Sequence, residues 1–257
     1  MKIKTVTWNI GGGKHLKDGD DPLLMASYSV DAIAEIAEWL KSENPDIITI
    51  QEAQGDDDTD QIEELAKLIG YDFYFFDATS SSHIDEGKRL GNGVISKYPI
   101  DNHKAGLFLN PNIETTLQGR HAVSQDKGYG TCTIVIADQN ISVTTLHLLP
   151  FRAFGVELDS EIGKTILSSI ETAIMPSEQT ALIQGDFNID SEQLAPILPA
   201  LLTDNMDEVL LNEPTTPVGR RYDHVFYKSL ILENMKVDSS VKTDHYPVTC
   251  EFSVTGS

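Results

Sequence analysis

The residues able to do chemistry in this chain cluster where apolar, β-branched runs begin or end. Asn9 follows TVTW, Glu52 follows DIITIQ, His147 follows VTTL, and Asp186 with Asn188 follows ALIQ in the segment Gly185-Asp186-Phe187-Asn188. Asp223 precedes HVFY, and Asp244 and His245 precede YPVTCEF. Taken singly, a polar residue at a strand end is a cap or a turn residue, and Glu52 and Asn9 each fit that description. Asp186 is harder to set aside. G-D-x-N puts a carboxylate and an amide on one tight turn, where both can face a common site.

Phosphate-ester cleavage would use such a collection. It needs an attacking water, charge stabilisation on the phosphoryl oxygens and help for the departing oxygen. Magnesium is held by one or two carboxylates plus substrate phosphate, and it offsets the developing negative charge. A carboxylate beside it orients or deprotonates water, an amide donates to a phosphoryl oxygen, and a histidine shuttles protons or binds phosphate. Asn9, Glu52, His147, Asp186, Asn188, Asp223, Asp244 and His245 supply that inventory. No serine or cysteine sits comparably beside a base, so covalent catalysis has no candidate nucleophile.

These side chains need elements to hold them. Ile3 to Trp8 reads as a strand ended by Gly11-Gly12-Gly13. Ile33, Ile36, Ala37 and Leu40 share a helical face, and Asn44-Pro45 stops that helix. Asp46 to Gln51 reads as a buried strand, and Ile62, Leu65, Ala66 and Ile69 as a second helix closed by Gly70. Tyr71 to Phe76 and Gly93 to Ser96 continue the strands. Thr131 to Ala137 and Ile141 to Leu148 predict a hairpin about Asp138-Gln139-Asn140. A third helix carries Ile162, Ile166, Ile170 and Ala173 inward, and Ala181 to Gln184 leads a strand into Gly185. Strand patterns return at His224 to Tyr227, Ile231 to Val237 and Val248 to Val254. No linker or low-complexity tract divides the chain. One αβ domain over 1–257, with two packed sheets and helices outside, is the expectation.

Composition bounds the partners. At 40% hydrophobic and 23% charged the chain is ordinary for a globular protein of 257 residues. Forty Asp+Glu against nineteen Lys+Arg leave a formal charge of -21, which opposes broad contact with polyanions. A nuclease so charged needs a local basic patch or bound metal ions. Cys132 and Cys250 have no metal-ligand spacing and read as small buried strand residues. The start, MKIKTVTWNI, lacks the apolar stretch of a signal peptide, and no window approaches a membrane span. A cytoplasmic monomer is the default expectation.

The ordered set WN, QE, HL, GDFN, YDHVF and TDH resembles the endonuclease/exonuclease/phosphatase superfamily, in family order from Thr7 to Val248. The resemblance implies a four-layer αββα sandwich of two mixed, mainly antiparallel sheets, and a Mg2+-dependent phosphoesterase in which Mn2+ substitutes. It further implies that Glu52 is the principal metal ligand, with Asn9 close to metal and phosphate and Asp244 a further ligand. Asp186 matches the residue that activates the attacking water, and Asn188 a phosphate-orienting amide. His245 matches a phosphate-facing histidine oriented by Asp223, and His147 stands where nuclease members act on phosphate or leaving group.

Smaller signals remain. His224 departs from the apolar or aromatic residue many relatives carry there, and reads as a packed or solvent-facing strand residue. Asn92, Arg89 and Arg120 are weaker candidates for substrate contact, with turn chemistry an equal account of Asn92 and a solvated loop the simpler account of the arginines. Gly11-Gly12-Gly13-Lys14 lacks phosphate-loop spacing and reads as a flexible loop beside the site. Asp56 to Asp60 reads as a soluble acidic loop. Phe108, Leu109, Pro111, Phe151 and Phe154 form either a specificity wall or the closed end of the sandwich. Three functions compete: a hydrolase of phosphodiesters such as nucleic acid or nucleotides, a phosphomonoesterase or lipid or inositol headgroup phosphoesterase, and a silent binding module. The full residue set counts against the third.

Overall fold

The computed structural model describes residues 1–254 apart from Gln118, Ser177 and Asp204, and the side chains of Arg120 and Thr203 also lie outside the description. The first half runs β1 (Lys2–Asn9), a small ribbon of β2 (Lys14–Leu16) with β3 (Tyr28–Asp31), and α1 (Ile33–Glu43). It continues through β4 (Ile47–Gly55), α2 (Gln61–Ile69), β5 (Phe73–Ser81) and β6 (Arg89–Ser96). The second half has β7 (Ile100–Leu107), a hairpin of β8 (Glu114–Leu117) with β9 (Arg120–Val123), β10 (Gly128–Ile136) and β11 (Gln139–His147). Then come α3 (Glu161–Ile174), β12 (Thr180–Asp186), α4 (Pro199–Thr203), β13 (Asp207–Glu208), β14 (Asp223–Lys228), β15 (Leu230–Val237) and β16 (Val248–Val254).

One sheet is ordered β15-β16-β1-β4-β6-β5 and the other β13-β14-β12-β11-β10-β7. Each holds one parallel pairing, β1 with β4 and β11 with β12, and each of these is bridged by a helix. Parallel neighbours require such a crossover, whereas the remaining antiparallel pairs do not.

Alternation along the strands builds the layers. In β4, Ile47 enters the cluster between the sheets, and Ile48 and Ile50 pack with Ile33, Ile36, Leu40, Ile62 and Leu65 of α1 and α2. In β12, Leu182 enters the middle and Ala181 and Ile183 face Ile166, Ile170 and Ile174 of α3. Three apolar clusters thus separate four layers, helix-sheet-sheet-helix, with each fully buried Ile or Leu contributing about 2 kcal/mol. Cys132 and Cys250 are buried in the middle cluster, as expected. Asp60 caps α2 through Glu63 N at 2.8 Å, and Asp56 closes a turn onto Asp58 and Thr59. The acidic run is therefore a turn and a helix cap.

Two expectations are revised. The hairpin between β10 and β11 turns on Ala137-Asp138, both left-handed, because Ile136 pairs with Gln139. A two-residue turn of that hand matches strand twist better than the longer loop read from the sequence. The stretch between Tyr98 and Thr131, for which the sequence pattern offered no strand, contains β7 and the β8–β9 hairpin. Strand β7 is an edge strand with six of its eight residues exposed, so it carries no apolar alternation to read.

The middle layer is not apolar throughout. Towards one end, Thr5, Gln184 and Thr49 bond across the sheets, and Thr7, Gln51 and Thr145 do the same, at 3.0 to 3.3 Å. Thr7, Thr145 and Gln184 each lie two residues before Asn9, His147 and Asp186, so the network and those site residues share the inward faces. It fixes one sheet against the other directly beneath the chemistry.

Candidate active site

The polar residues of the site gather at one edge of the sandwich, where β1, β11 and β12 end and β14 begins. Asp186 closes β12, opposite Asp223 of β14 on one side and His147 of β11 on the other. Gly185 is required here by close approach, since a Cβ would lie 2.1 Å from Leu146 O. The turn is locked locally, with Asn188 N donating to Asp186 Oδ1 at 2.8 Å and Asn188 Nδ2 to Leu148 O at 3.0 Å.

Asp186 Oδ2 is the hub. Asn9 Nδ2 donates to it at 3.0 Å, and His147 Nε2 and His245 Nε2 lie 3.4 and 3.7 Å away. His245 Nδ1 meets Asp223 Oδ2 at 2.8 Å, the arrangement that fixes a histidine's ring direction. Asn9 Oδ1 accepts from Gly11 N at 3.0 Å, so the same amide braces the glycine loop. Gly11 to Gly13 are all left-handed, and a Cβ on Gly11 would lie 2.6 Å from Asp244 Oδ1. The loop read as flexible is thus a tight seat for Asp244.

Glu52 reaches the site by a distortion. Pairing of β4 with β6 slips between Ile50 and Ala53, and Glu52 sits at φ 54. A glutamate in the left-handed region costs on the order of 1 kcal/mol or more, and such bulges re-aim side chains. Gly12 N donates to Glu52 O at 2.8 Å and helps hold the bulge.

One residue here was not foreseen. Lys127, just before β10, is buried, with Nζ 3.4 Å from Glu52 Oε1 and 3.2 Å from His147 Nδ1. A lone lysine in a mixed segment gives no sequence signal. With the ammonium donating to Nδ1, the neutral ring carries its proton on Nε2, facing Asp186 and Glu52.

Electrostatics separate the groups. Burial would raise Glu52, but the Lys127 ammonium and then His147 outweigh it and leave the carboxyl at about 2. Burial first, and then the Lys127 charge, push His147 well below the usual imidazole range. Burial also opposes charge on His245, yet Asp223 and Asp186 hold it well above that range. Asp186 is pushed up to about 7 by burial, with His245 opposing and Asp223 adding. Asp244 rises to about 6 by burial, with His245 opposing and Glu52 adding. The edge thus holds a neutral histidine, a cationic one and carboxyls unequal in acidity.

A divalent cation fits this chemistry. Asp244 Oδ1 is buried with no hydrogen-bond partner among the described residues, beside a second carboxylate, Glu52, whose charge it feels. Asp186, Asp223 and His245 also bring ligand atoms within 4.8 Å of one another. There, however, His245 Nδ1 is already committed to Asp223, which leaves Asp244 Oδ1 as the oxygen without a partner, with the Glu52 carboxylate beside it.

Asn92 and Arg89 both have protein partners of their own. Asn92 is in mid-strand, buried, and its Nδ2 donates to Gly128 O at 2.8 Å, a stitch between sheets and not a turn. Arg89 is half exposed and pairs with Asp57 at 3.2 Å. Arg120 opens β9, and its side chain lies outside the described residues. Phe108 and Phe151 are buried in the cluster beneath α3, closing that end of the sandwich. Phe151 also lines a cavity of about 350 Å³ beside Asn188, with Arg152, Asp190 and Tyr222. A cavity of about 590 Å³ edged by α1 and α2 contains none of the site residues.

His224 is the buried strand residue expected, with an added role. Its Nδ1 meets Glu208 Oε1 at 3.1 Å and its Nε2 meets Arg221 O at 3.1 Å, and its ring stands edge-on to Phe187. Both ring nitrogens thus lie within hydrogen-bond distance of an oxygen. Glu208 also takes the amides of Leu194 and Ala195. His224→Phe is expected to lower unfolding free energy by roughly 3 kcal/mol, the lower end for breaking a buried pair. Urea unfolding, with Glu208→Gln completing a double-mutant cycle, measures this, and no coupling between the two would count against it.

Known proteins align with this arrangement. Residues 6–245 match the Endonuclease/Exonuclease/phosphatase family. A UPF0294 protein of Vibrio campbellii is 30% identical over 120 residues, 45% of this chain but only 41% of that protein. An endonuclease/exonuclease/phosphatase structure from Beutenbergia cavernae superposes with TM-score 0.77 at 18% identity, over 99% of this chain and 72% of its own. D. rerio TDP2 complexed with single strand DNA product gives 0.59 at 16% identity, over 98% and 99% of the two chains.

Proposed function

The chain belongs to the endonuclease/exonuclease/phosphatase family, and from that premise we propose that it is a Mg2+- or Mn2+-dependent phosphodiesterase acting at Asp186. The observation that carries this reading is the convergence on one carboxylate oxygen, Asp186 Oδ2, of Asn9, His147 and the Asp223-braced His245. Glu52, Asp244 and Asn9 would hold the divalent cation. When bound, that cation supplies neutralisation of the phosphoryl charge.

The chain's own groups do the rest. Ionised Asp186 orients the attacking water and takes its proton, with Asn188 and Asn9 fixing the carboxylate. Protonated His245, its charge held by Asp223 and Asp186, donates to a phosphoryl oxygen. Neutral His147 presents Nε2–H on the same side, towards Glu52 and Asp186. Tyr222, tilted against His245 at 6.1 Å, offers ring surface beside Asn188 to whatever the phosphate carries.

A diester of nucleic-acid or nucleotide type is favoured over a monoester. TDP2 holds single strand DNA product on the same fold, and the cavity beside Asn188 combines the Tyr222 ring with Arg152. The charge of -21 argues for a short or single-stranded substrate engaged locally, not a polyanion bound along a basic face. Purified protein is expected to cleave bis(p-nitrophenyl) phosphate with added Mg2+ or Mn2+, and to stop in excess chelator. A parallel screen of oligonucleotides, nucleotides, inositol phosphates and sphingomyelin ranks the substrates. Activity that survives both chelator and Asp186→Ala would overturn the mechanism.

A further inference from the structure

Resting on the assignment of Glu52 to the metal, we propose that Lys127 is an internal counter-cation for Glu52 that passes to the substrate's phosphoryl oxygen when a divalent ion binds, coupling metal and phosphate binding. The placement of Lys127 is built. Its carbonyl accepts from Phe108 N at 2.9 Å, and the next carbonyl, Gly128 O, accepts from Asn92 Nδ2 at 2.8 Å. Gly128 is paired with His147 on one side and Leu107 on the other. The backbone that carries Lys127 is therefore pinned from both sheets, and only its side chain is free to move.

The ammonium has two partners of different kinds. Glu52 Oε1, at 3.4 Å, is an anion that a divalent ion would claim. His147 Nδ1, at 3.2 Å, is a neutral acceptor that such an ion leaves untouched. A doubly charged ion on Glu52 repels a monovalent cation held 3.4 Å from the same oxygen. Lysine answers by rotation, because its four-carbon stem is flexible and its three donors are interchangeable. Nζ keeps His147 Nδ1 and turns its freed proton towards an oxygen acceptor in the mouth of the site. A phosphoryl oxygen beside Asp186 and His147 is that acceptor. Without it, the displaced charge would stay in a buried setting with one neutral partner, an unfavourable state. Metal binding is thus held back until phosphate is present, and phosphate binding is held back until metal is present. By linkage the two effects are equal.

Titration of Mn2+, read as free Mn2+ by electron paramagnetic resonance, tests this with no turnover involved. Wild type, Lys127→Met and Glu52→Gln are titrated with and without inorganic phosphate. Without phosphate, Lys127→Met is expected to bind Mn2+ about tenfold more tightly than wild type, within the range couplings of this kind span. Phosphate should tighten Mn2+ binding by wild type about tenfold more than it tightens binding by Lys127→Met. If Lys127→Met fails to fold by circular dichroism, Lys127→Gln carries the same comparison. Equal Mn2+ affinity in wild type and the lysine variant, with Glu52→Gln still weakened, overturns the role of Lys127 alone. Mn2+ binding undiminished in Glu52→Gln overturns the metal assignment, and this proposal with it.

Discussion

Asp186→Asn is expected to lower kcat on bis(p-nitrophenyl) phosphate by roughly three orders of magnitude, within the span attributed to a lost general base. The substitution is nearly isosteric, so the turn should persist through Asn188 N, which needs only one oxygen acceptor. What disappears is the second oxygen, on which Asn9 donates and towards which His147 and His245 are aimed. An amide nitrogen there sets donor against donor and cannot accept a proton from water. KM should move far less, because other groups would hold the phosphate. The wild-type rate carries a matching signature. Burial and Asp223 push the Asp186 carboxyl up to about 7, so its working, ionised form grows as pH rises through that value. The limb of the pH-rate profile near 7 should therefore climb towards alkali and be absent from the residual activity of Asp186→Asn. A variant within tenfold of wild type would remove Asp186 from the centre of the reaction.

Asp244→Asn is expected to stabilise the metal-free protein at pH 8, and by only about a third as much at pH 4.5. Burial raises the Asp244 carboxyl from 3.8 to about 6, with Glu52 adding to the rise. A carboxyl raised on folding binds its proton more tightly in the folded chain, so its contribution to stability falls as pH climbs from about 4 to about 6. The full penalty then persists above 6. The difference between 3.8 and about 6 corresponds to on the order of 3 kcal/mol for this buried group. For a chain this size that is a Tm change of roughly 5–10 °C. Other groups titrate across the same range. His147, kept neutral by burial, destabilises below about 6.5, and His245, kept charged, loses its contribution as pH rises above it. Comparing the variant with wild type at each pH removes His147, and of His245 it leaves only the part that Asp244 itself contributes. Added Mn2+ at pH 8 should raise the Tm of wild type by a similar amount and that of Asp244→Asn by much less. Thermal denaturation by circular dichroism in chelator, then in Mn2+, reads all four states. A variant that is destabilised at pH 8 would show that Asp244 is a structural acceptor and not a ligand in waiting.

The sequence by itself determined whatever local periodicity and local turn chemistry determine. Ile33, Ile36, Ala37 and Leu40 are the buried face of α1, and β4 and β12 occupy the short apolar runs that announce them. Gly185 to Asn188 is a turn whose bonds close within two residues or reach the adjacent strand. The order of the motifs was enough to imply the family and the sandwich, because Asn9, His147 and Asp186 end strands and Asp223 begins one, and such ends collect at sheet edges. Only the tertiary structure decided the rest. Lys127 lies 20 residues from His147 and 75 from Glu52, and meets both because β10 is in register with β11. A slip of one residue would turn it away from the site. Glu52 enters through a bulge that no residue pattern marks, and Asn92 sits in mid-strand, bonded to Gly128 O across the sheets, where the sequence offered a turn. His224 finds Glu208 across the β13–β14 edge. Short-range rules set which residues end strands, whereas charge pairing and proton placement depend on register, bulges and burial, which the folded sheets alone supply.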